Sequence, residues 1–472
     1  MERVKYFFEE ISKIPRRSGN TKGVSDFCVN FAKEHSLEWY QDEWNNVVIY
    51  KAASAGFEDK EPVILQGHLD MVCEFDTAIT LVEENGFLRA DGTTLGADDG
   101  VAVAMCLAIL EDDKLCHPEL CVVFTTDEET GMFGARGLDA SKLCGRRLLN
   151  IDSEEEGVLT VGCAGGERAV ITLPVTPQFI PIDNDDDNDC YSITISGLLG
   201  GHSGVDIGHG RINAVLLLAN FLAFLESHDV ELRLIDIKGG TADNAIPNSA
   251  SVLLFASSMP EELVSEFETL SKTVTDPDLK IVIESIKMPA SVTDENTGEA
   301  LTMMLGKNDT ERVIEYLMSL PNGVQGMRGE EVETSLNLGQ IFLTISGLVT
   351  RHSLRSNVTR EKKVLEARLI NLADDFKAKI EIDGDYPGWD FVENSPFCEK
   401  VVECYKNCYG EEPKVVTIHA GLECGLFAEK VKGLDAVSIG PTIYDIHTTA
   451  ERLDLSSLER TYKFVRNVLE NL

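Results

Sequence analysis

VILQGHLD, at residues 63–70, is a short apolar run that ends in a histidine and an aspartate. Its length and composition indicate a buried strand, and similar segments follow it along the chain. VAVAMCLAIL (101–110) is apolar on all sides and long enough for a buried helix, whereas ELCVVFTTDEE (119–129) and RRLLNIDSEEE (146–156) are apolar strands that run into acidic residues. This alternation predicts an α/β fold with a mixed, largely parallel sheet flanked by helices. In such sheets functional residues gather at the carboxyl ends of strands, where these charged residues stand.

The composition is that of a globular protein with a strongly acidic surface. The chain has 472 residues, 43% of them hydrophobic, and its net charge is −38. Negative charge in this excess repels phosphate backbones and anionic lipids, so we expect neither nucleic acid nor membrane as a partner. No apolar run reaches the roughly 18 residues of a membrane span, and we expect no signal peptide at residues 1–19. The twelve cysteines form no C-x-x-C motif, which favours reduced thiols and a cytoplasmic location.

Residues 174–190, PVTPQFIPIDNDDDNDC, interrupt the α/β rhythm with three prolines and a run of acids. We predict a domain boundary there, with one domain formed by residues 1–185 and 388–472 and an α+β lid domain inserted over residues 186–387. Within the insert, YSITISGLLGGHSG (191–204) and IFLTISGLVTRHSL (341–354) share a sequence frame. This internal repeat predicts a lid with two related halves, although a chance similarity between two strand-and-turn segments is the alternative.

Histidines and carboxylates stand out at five places in the outer segments. His68 and Asp70 lie two residues apart, so they share a face of an extended segment and the carboxylate can engage the far nitrogen of the imidazole. Asp98 and Asp99 precede the buried helix and are flanked by glycines. Acids at the start of a helix are ordinarily caps, but the glycines indicate an unusual backbone that a cap does not need.

The remaining places follow strands or lie near the end of the chain. Glu128 and Glu129 are adjacent in an extended stretch, where neighbouring side chains point apart, so one can bind a metal while the other serves as a base. Asp152 closes a buried strand, and His447 lies in a distal turn. Each alone has an ordinary explanation as a solvated loop or strand end. Together they form an oxygen and nitrogen set that suits two divalent ions sharing a carboxylate. Zinc is the default expectation, and manganese or cobalt also fit.

The motifs G-H-L-D, G-A-D-D-G, D-E-E-T-G, N-I-D-S-E-E-E-G and I-G-P-T…H together resemble those of a known family. The chain is similar, over essentially its whole length, to the dinuclear zinc exopeptidases related to carnosinase, aminoacylase and peptidase T. The narrower N-I-D-S-E-E-E-G and H-A-G-L-E-C-G resemble the bacterial aminoacyl-histidine dipeptidases. Asp99 departs from that subfamily, whose members often carry asparagine there, but this position is not expected to bind metal.

The resemblance implies two metal sites that share Asp98 as the bridging ligand and are completed by His68 with Asp152 and by Glu129 with His447. Two zinc ions per subunit would bind there, or manganese or cobalt in their place.

Glu128 is implied as the general base, which takes a proton from the attacking water and returns it to the leaving amine, and Asp70 as the residue that orients His68. The implied activity is the hydrolysis of dipeptides, either Xaa-His and carnosine-like or of broad specificity. A tripeptidase and an N-acyl amino acid deacylase are the alternatives within the family. A metal-binding scaffold without catalysis is the alternative outside it.

The resemblance also implies roles for residues of the lid. His202, in G-G-H-S-G, matches a histidine that stabilises the oxyanion, acting within its own chain or across a homodimer. His352, in the second repeat, is a relic or a working partner. Asn244 resembles an asparagine that contacts the substrate. An arginine should bind the substrate carboxylate through its fork, and Arg368 is the first choice, followed by Arg355.

The last candidates lie in or near the motif HAGLECG. Gly421 and Glu423 are expected to form part of the substrate pocket, whereas His419 and His209 are expected to be structural. The expected partner is a small peptide substrate, with a homodimer as an open possibility.

Overall fold

The computed structural model describes residues 1–182, 190–271, 276, 278–293 and 297–472. The chain forms two compact units: Met1–Cys163 together with Pro387–Leu472, and Ala164–Tyr386. We call them the outer unit and the inserted unit.

Helices and strands alternate along the described parts of both units. Up to residue 163 they are α1 (Glu2–Ser12), α2 (Lys22–Glu34), β1 (Glu38–Gln41), β2 (Val47–Lys51), β3 (Val63–His68), β4 (Leu81–Glu84), β5 (Phe87–Ala90), α3 (Ala97–Glu111), β6 (Leu120–Thr125), α4 (Phe133–Gly137), β7 (Arg147–Asn150) and β8 (Val158–Cys163). The inserted unit contains β9 (Gly165–Leu173), β10 (Gln178–Pro181), β11 (Cys190–Ser196), β12 (Gly201–His202), α5 (Ala214–Ser227), β13 (Leu232–Gly239), β14 (Ala245–Ile246), β15 (Ala250–Ala256), α6 (Glu261–Ser271), β16 (Lys280–Ile286), β17 (Val292–Thr293), β18 (Ala300–Met304), α7 (Lys307–Ser319), β19 (Gly323–Arg328), β20 (Glu331–Thr344), β21 (Gly347–Ser356), α8 (Thr359–Asp375) and β22 (Lys379–Tyr386). The chain then forms α9 (Pro396–Tyr409), β23 (Lys414–Ile418), α10 (Glu423–Lys430), β24 (Asp435–Ser438), β25 (Ile443–Tyr444), β26 (Arg452–Asp454) and α11 (Leu455–Asn471).

The outer unit is built on an eight-stranded sheet with the order β1-β2-β6-β3-β7-β24-β8-β23. Its four central strands, β6, β3, β7 and β24, run parallel, which confirms the predicted largely parallel sheet. Helix α3 is apolar on all sides because it packs between the sheet and α1 and is buried along most of its length. The predicted strand ends of β3, β6 and β7 therefore meet at one edge of the sheet.

Eight of the nine strands in the large sheet of the inserted unit form two halves with the same topology, and the ninth, β19, pairs with β20. Strands β11, β13, β15 and β16 with helices α5 and α6 form a βαββαβ half whose strand order is β16-β11-β15-β13. Strands β9, β20, β21 and β22 with α7 and α8 repeat the pattern in the order β22-β9-β21-β20. The first half is nested in the second, and the two join where β13 pairs with β20. The predicted lid with two halves is present in this form.

The sequence repeat that predicted these halves does not align them, however. Residues 191–204 contain β11, the first strand of its half, and the loop beyond it. Residues 341–354 span the end of β20, a hairpin turn and most of β21, the third strand of the other half. The structural counterpart of β11 is β9. The sequence similarity thus arises because each segment contains a strand followed by a Ser-Gly turn. This is the chance similarity that was the alternative to a structural repeat.

The first boundary between the two units lies between residues 163 and 164. The sequence predicts this boundary further along the chain, between residues 185 and 186, a position outside the described residues. The physical reason is that β9 pairs with β21 and β22 and so belongs to the inserted sheet. The second division, after Tyr386, lies one residue from the predicted one. Cys163 and Trp389 exchange two main-chain hydrogen bonds of 3.0 Å. The chain therefore leaves and re-enters the outer unit at one place.

Candidate active site

Three neighbouring parallel strands deliver ionisable residues to the same edge of the outer sheet. His68 is the last residue of β3, Glu128 and Glu129 follow β6, and Asp152 follows β7. Asp98 reaches this edge from the start of α3. This placement is consistent with the sequence prediction that these five residues come together.

The Asp98 carboxylate lies between two imidazoles. Its Oδ1 is 3.1 Å from His68 Nε2, and its Oδ2 is 3.1 Å from His447 Nε2. His447 Nε2 also lies 3.0 Å from a Glu129 oxygen, and His68 Nε2 lies 3.4 Å from Asp152 Oδ1. The hydrogen bonds that His447 donates to the carboxylates of Asp98 and then Glu129 raise its pKa to about 10. The Asp98 carboxylate thus lies between two pairs of residues. His68 and Asp152 are on one side, and His447 and Glu129 are on the other.

Potential ligand atoms in this cluster lie close enough together to hold metal ions. Two groups of three fall within 4.8 Å of one another: His68 with Asp98 and Glu129, and His68 with Asp99 and Asp152. Asp99 is a poor ligand candidate because its Oδ2 already accepts a 3.1 Å hydrogen bond from the main-chain N–H of His68. The Asp98–Asp99 peptide bond is cis.

Asp70 approaches His68 with both its main chain and its carboxylate. His68 Nδ1 lies 3.1 Å from the Asp70 carbonyl oxygen but 3.5 Å from Asp70 Oδ1. An N–H on Nδ1 that donates to this carbonyl leaves the lone pair of Nε2 facing Asp98. The Asp70 carboxylate also accepts hydrogen bonds from the main-chain N–H groups of Glu128 at 3.1 Å and Glu129 at 3.3 Å. It therefore holds the loop that carries the two glutamates.

Glu128 differs from its neighbour in having no hydrogen-bond partner for its carboxylate among the described residues. Burial, together with the negative charges of Asp152, Glu423 and Glu129, raises its pKa well above the usual range. Its lone pairs are available to accept a proton, which is the requirement for a general base.

Replacing Asp99 with asparagine is expected to leave metal binding and activity within about threefold of the wild type. The amide oxygen can accept the same hydrogen bond from the main-chain N–H of His68. The loss of stability should therefore stay below the ~1 kcal/mol that a typical hydrogen bond contributes. Asp99→Ala removes that acceptor and should weaken both. Metal content and kcat/KM of the two variants check this. Loss of metal in Asp99→Asn would mean that Asp99 is itself a ligand.

Glu423 lies beneath the cluster rather than at a surface. Its Oε2 accepts hydrogen bonds from Gln66 Nε2 at 2.5 Å and from Thr125 Oγ1 at 2.6 Å, which connects α10 to strands β3 and β6. Burial raises the pKa of Glu423 to about 8. Gly421 is half-buried in the turn before α10. The next residue, Leu422, lines a cavity of about 640 Å³, and Asp152 lines the same cavity.

The inserted unit brings three of its four predicted site residues close together. His202 and Ala245 are paired between strands β12 and β14, and Ser203 N donates to the Asn244 carbonyl at 2.8 Å. The Asn244 side chain is exposed. Arg355, on β21, lies near enough for its charge to act on His202: burial and then Arg355 lower the pKa of this histidine.

Arg368, the first choice from the sequence, lies on α8 of the same unit. It is exposed on α8 and donates to Gln325 Oε1 at 2.9 Å.

His202 is held in one tautomer. Its Nδ1 accepts hydrogen bonds from the main-chain N–H groups of Gly204 at 3.2 Å and Val205 at 3.3 Å. The proton of the neutral imidazole must then reside on Nε2, which is a hydrogen-bond donor.

Comparison with known proteins places the chain in a family. Residues 64–471 match the model of peptidase family M20/M25/M40. The chain belongs to that family. It is 35% identical to the cytosol non-specific dipeptidase of Escherichia coli (strain K12), with 98% of this chain and 96% of the relative covered. It is therefore a peptidase, a hydrolase that acts on peptide bonds.

Solved structures of M20 peptidases share its fold. Aminoacylhistidine dipeptidase from Vibrio alginolyticus superposes with a TM-score of 0.86 at 35% identity, with 99% of this chain and 96% of that chain covered. The aminopeptidase PepT from Bacillus cereus gives a TM-score of 0.57 at 15% identity, with 100% and 98% covered. The predicted α/β fold interrupted by a lid is thereby confirmed. Among the described residues of this M20 peptidase, no helix is both long and apolar enough to cross a membrane.

The other histidines considered from the sequence occupy different surroundings. His352 is buried within β21, its Nε2 is 2.9 Å from Thr350 Oγ1, and burial lowers its pKa to about 3. His202 and His352 therefore have no common environment, in keeping with the misaligned repeat. His209 is mostly exposed beside Asp206, and His419 lies in the turn after β23.

Proposed function

We propose that this M20 peptidase hydrolyses dipeptides with a free amino terminus, either Xaa-His and carnosine-like or across a broad range, at a centre of two zinc ions. The observation that carries the proposal is the Asp98 carboxylate, each of whose oxygens lies 3.1 Å from a different histidine. The names of the two relatives at 35% identity support a dipeptide substrate. The Escherichia coli relative is named a cytosolic enzyme, and we propose a cytoplasmic location for this chain as well.

The proposed ligands are Asp98 as the bridge, His68 with Asp152 on one side, and His447 with Glu129 on the other. The chemistry of the donors fits this role, since neutral imidazole and carboxylate suit Zn²⁺ and also Mn²⁺ or Co²⁺. Glu129 Oε1 adds a second argument, because it is buried without a hydrogen-bond partner among the described residues. A buried acceptor of this kind is costly unless a cation or donor satisfies it.

Two divalent cations bound there would supply Lewis acidity and lower the pKa of a water toward neutrality. Glu128 would accept the proton of the attacking water and pass it to the nitrogen of the leaving amine. A base with a raised pKa can both take and return a proton near neutral pH. His202 would donate from Nε2 to the oxyanion of the tetrahedral intermediate.

We propose Arg355 rather than Arg368 as the residue that binds the substrate carboxylate, because its charge acts on His202. Arg355→Met is expected to lower kcat/KM for dipeptides by about 10–100-fold, the range for a lost hydrogen bond to a charged group of roughly 1.5–3 kcal/mol. Arg368→Met is the matched control and should stay within about twofold. Kinetics with one dipeptide check both, and the opposite ranking would restore Arg368 as the carboxylate ligand.

The cavity beside Asp152 favours a peptidase over a deacylase. It is about 640 Å³ and is lined by acidic residues, Glu154 among them, and by apolar ones such as Leu422. Negative charge beside the metal ligands favours the ammonium of a free amino terminus, which an N-acyl amino acid lacks. Gly421, next to Leu422, would belong to this pocket.

A substrate panel tests the proposed function. Carnosine, other dipeptides, tripeptides and N-acyl amino acids are assayed with zinc, manganese and cobalt in turn. We expect dipeptides to be the best substrates. A preference for tripeptides or acyl amino acids would select one of the alternative activities, and no hydrolysis by metal-loaded protein would favour a scaffold.

A further inference from the structure

Arg16 is the largest fully buried side chain of the chain's described part, with 2% of its surface exposed. Its Nη1 donates to the carbonyl oxygens of Leu69 at 3.0 Å and Asp70 at 3.1 Å, and its Nη2 donates to the carbonyl oxygen of Gly96. One of these turns follows His68 and the other precedes Asp98. A single guanidinium therefore joins the two main-chain turns that present the central residues of the cluster.

The residues after Arg16 make further contacts with the same loops. The Arg16 carbonyl accepts from Met71 N at 3.1 Å, and Ser18 Oγ donates to Asp70 Oδ2 at 2.8 Å. Gly19 N donates to Asp127 Oδ1 at 2.5 Å, directly before Glu128. The tetrapeptide Arg16–Gly19 thus contacts the loops after β3 and β6 and, through Arg16, the turn before α3.

Arg16 lies so close to Gly96 and Gly100, the glycines that flank Asp98 and Asp99, that neither position has room for a side chain. A Cβ added to Gly96 would lie 2.5 Å from Arg16 Nη2, and one added to Gly100 would lie 2.6 Å from the same atom. Gly96 also has a φ of +67°, whereas Gly100 has an ordinary φ. Gly100 is therefore required for space alone, and that space is bounded by the guanidinium and by the Phe8 ring, whose Cε2 would lie 3.0 Å from the added Cβ.

Charge gives the arginine a second effect on the same turns. The carboxylates of Glu451, Asp70, Asp99 and Asp98 all attract its positive charge. Glu451 meanwhile accepts the main-chain N–H groups of Leu95, Gly96 and Ala97 at 2.8–2.9 Å. A buried cation is costly unless other groups compensate for the lost water. Hydrogen bonds through Nη1 and Nη2 and the attraction of these carboxylates compensate Arg16, although its Nε has no hydrogen-bond partner among the described residues.

We propose that Arg16, Ser18 and Gly19 form a positioning element that fixes the spacing of the metal-binding turns, with Arg16 as its principal residue. The segment lies before residue 64, where the match to the family model begins. Arg16 acts through main-chain carbonyls and is not assigned any contact with substrate. The inference rests on the proposed function, because it assumes that Asp98 and His68 bind metal.

Metal affinity of the whole protein tests the proposal. Arg16→Met is compared with Arg17→Met, since Arg17 is exposed and adjacent. Zinc dissociation constants are measured by competition with a chromophoric chelator, and the visible spectrum of the cobalt-loaded protein reports ligand geometry. We expect Arg16→Met to bind the metals about 10–100-fold more weakly, the usual cost of removing a group that orients ligands, and to change the cobalt spectrum. Arg17→Met should match the wild type in both.

Gly100→Ala provides an independent test that leaves Arg16 in place. The added methyl must displace the guanidinium, so the variant should reproduce the weaker binding of Arg16→Met. In a protein that already carries Arg16→Ala, the methyl group added by Gly100→Ala no longer meets the guanidinium. The effects of Gly100→Ala and Arg16→Ala on metal affinity should therefore be strongly non-additive. If the Arg16 variants fail to fold, Gly100→Ala and Ser18→Ala decide the question, because both keep Arg16: unchanged metal affinity in both would overturn the positioning role.

The outcomes separate the inference from the proposed function. If the wild type binds no divalent metal, the proposed function fails and the inference with it. If the wild type binds two ions and Arg16→Met and Gly100→Ala bind them with unchanged affinity and spectrum, only the positioning role is overturned. Additive effects of Gly100→Ala and Arg16→Ala would also overturn it.

Discussion

Glu128→Gln is expected to retain both metal ions and to lose about 10²–10⁴-fold in kcat, the contribution of a general base. The amide cannot accept the proton of the attacking water, and its size matches that of the carboxylate, so the surrounding loop should not move. The main-chain N–H of Glu128, which donates to Asp70, is unaffected by the change. Elemental analysis and steady-state kinetics on the same preparation measure the two properties.

Glu129→Gln is the matched control because it makes the same replacement, of a carboxylate by an amide, at the adjacent residue. Its side chain lies 3.0 Å from His447 Nε2, and we expect this variant to lose metal from one site. His447→Ala should lose metal from the same site. Equal metal loss in Glu128→Gln and Glu129→Gln would show that the roles of the two glutamates are misassigned.

His202→Ala is expected to lower kcat by roughly 10²–10³-fold with full metal content, which is the cost of removing one oxyanion donor. The two main-chain N–H groups at Nδ1 leave Nε2 as the donor, and the lowered pKa keeps the imidazole neutral. The loss should therefore be the same at every pH from about 7 to 9, because an imidazole with a lowered pKa is uncharged in that range. The pH dependence of kcat checks this.

His209→Ala is the control for His202, since it removes an exposed histidine from the same segment. It should keep kcat within about twofold, as surface substitutions away from a site do. An unchanged kcat in His202→Ala would remove the oxyanion role from this residue. The buried position of His352 does not offer a replacement.

Mixing Glu128→Gln with His202→Ala protein asks whether the histidine acts across a subunit interface. Activity should return only if His202 serves the partner's metals and subunits exchange. No recovery, although labelled subunits exchange, would assign His202 to its own chain.

Local sequence pattern was sufficient to predict most of the candidate metal centre. His68, Glu128, Glu129 and Asp152 could be located because apolar strands end in polar residues, and parallel strands bring such ends to one edge. The buried helix α3 could be predicted because it is apolar on every side. These features depend on a few neighbouring residues, which is why they can be read from the chain.

Other features depend on contacts between distant residues and were missed or misread. Arg16 contacts turns 53 and 80 residues away, and only the glycines at 96 and 100 indicated that something approached there. The sequence does not show that Arg355 lies near enough for its charge to act on His202, and the choice between Arg355 and Arg368 stays a prediction. The repeated Thr-Ile-Ser-Gly-Leu led to the correct number of halves but aligned the wrong strands, because a strand followed by a turn needs little sequence to specify it.

The most direct test of the proposed two-metal centre is a metal titration of the stripped protein, with bound zinc and dipeptide hydrolysis followed together. We predict that hydrolysis appears as zinc binds and reaches its maximum at two ions per chain, and that Glu128→Gln binds the same two ions without turnover. Full hydrolysis by metal-free protein, or a maximum at one ion per chain, would contradict a centre of two ions.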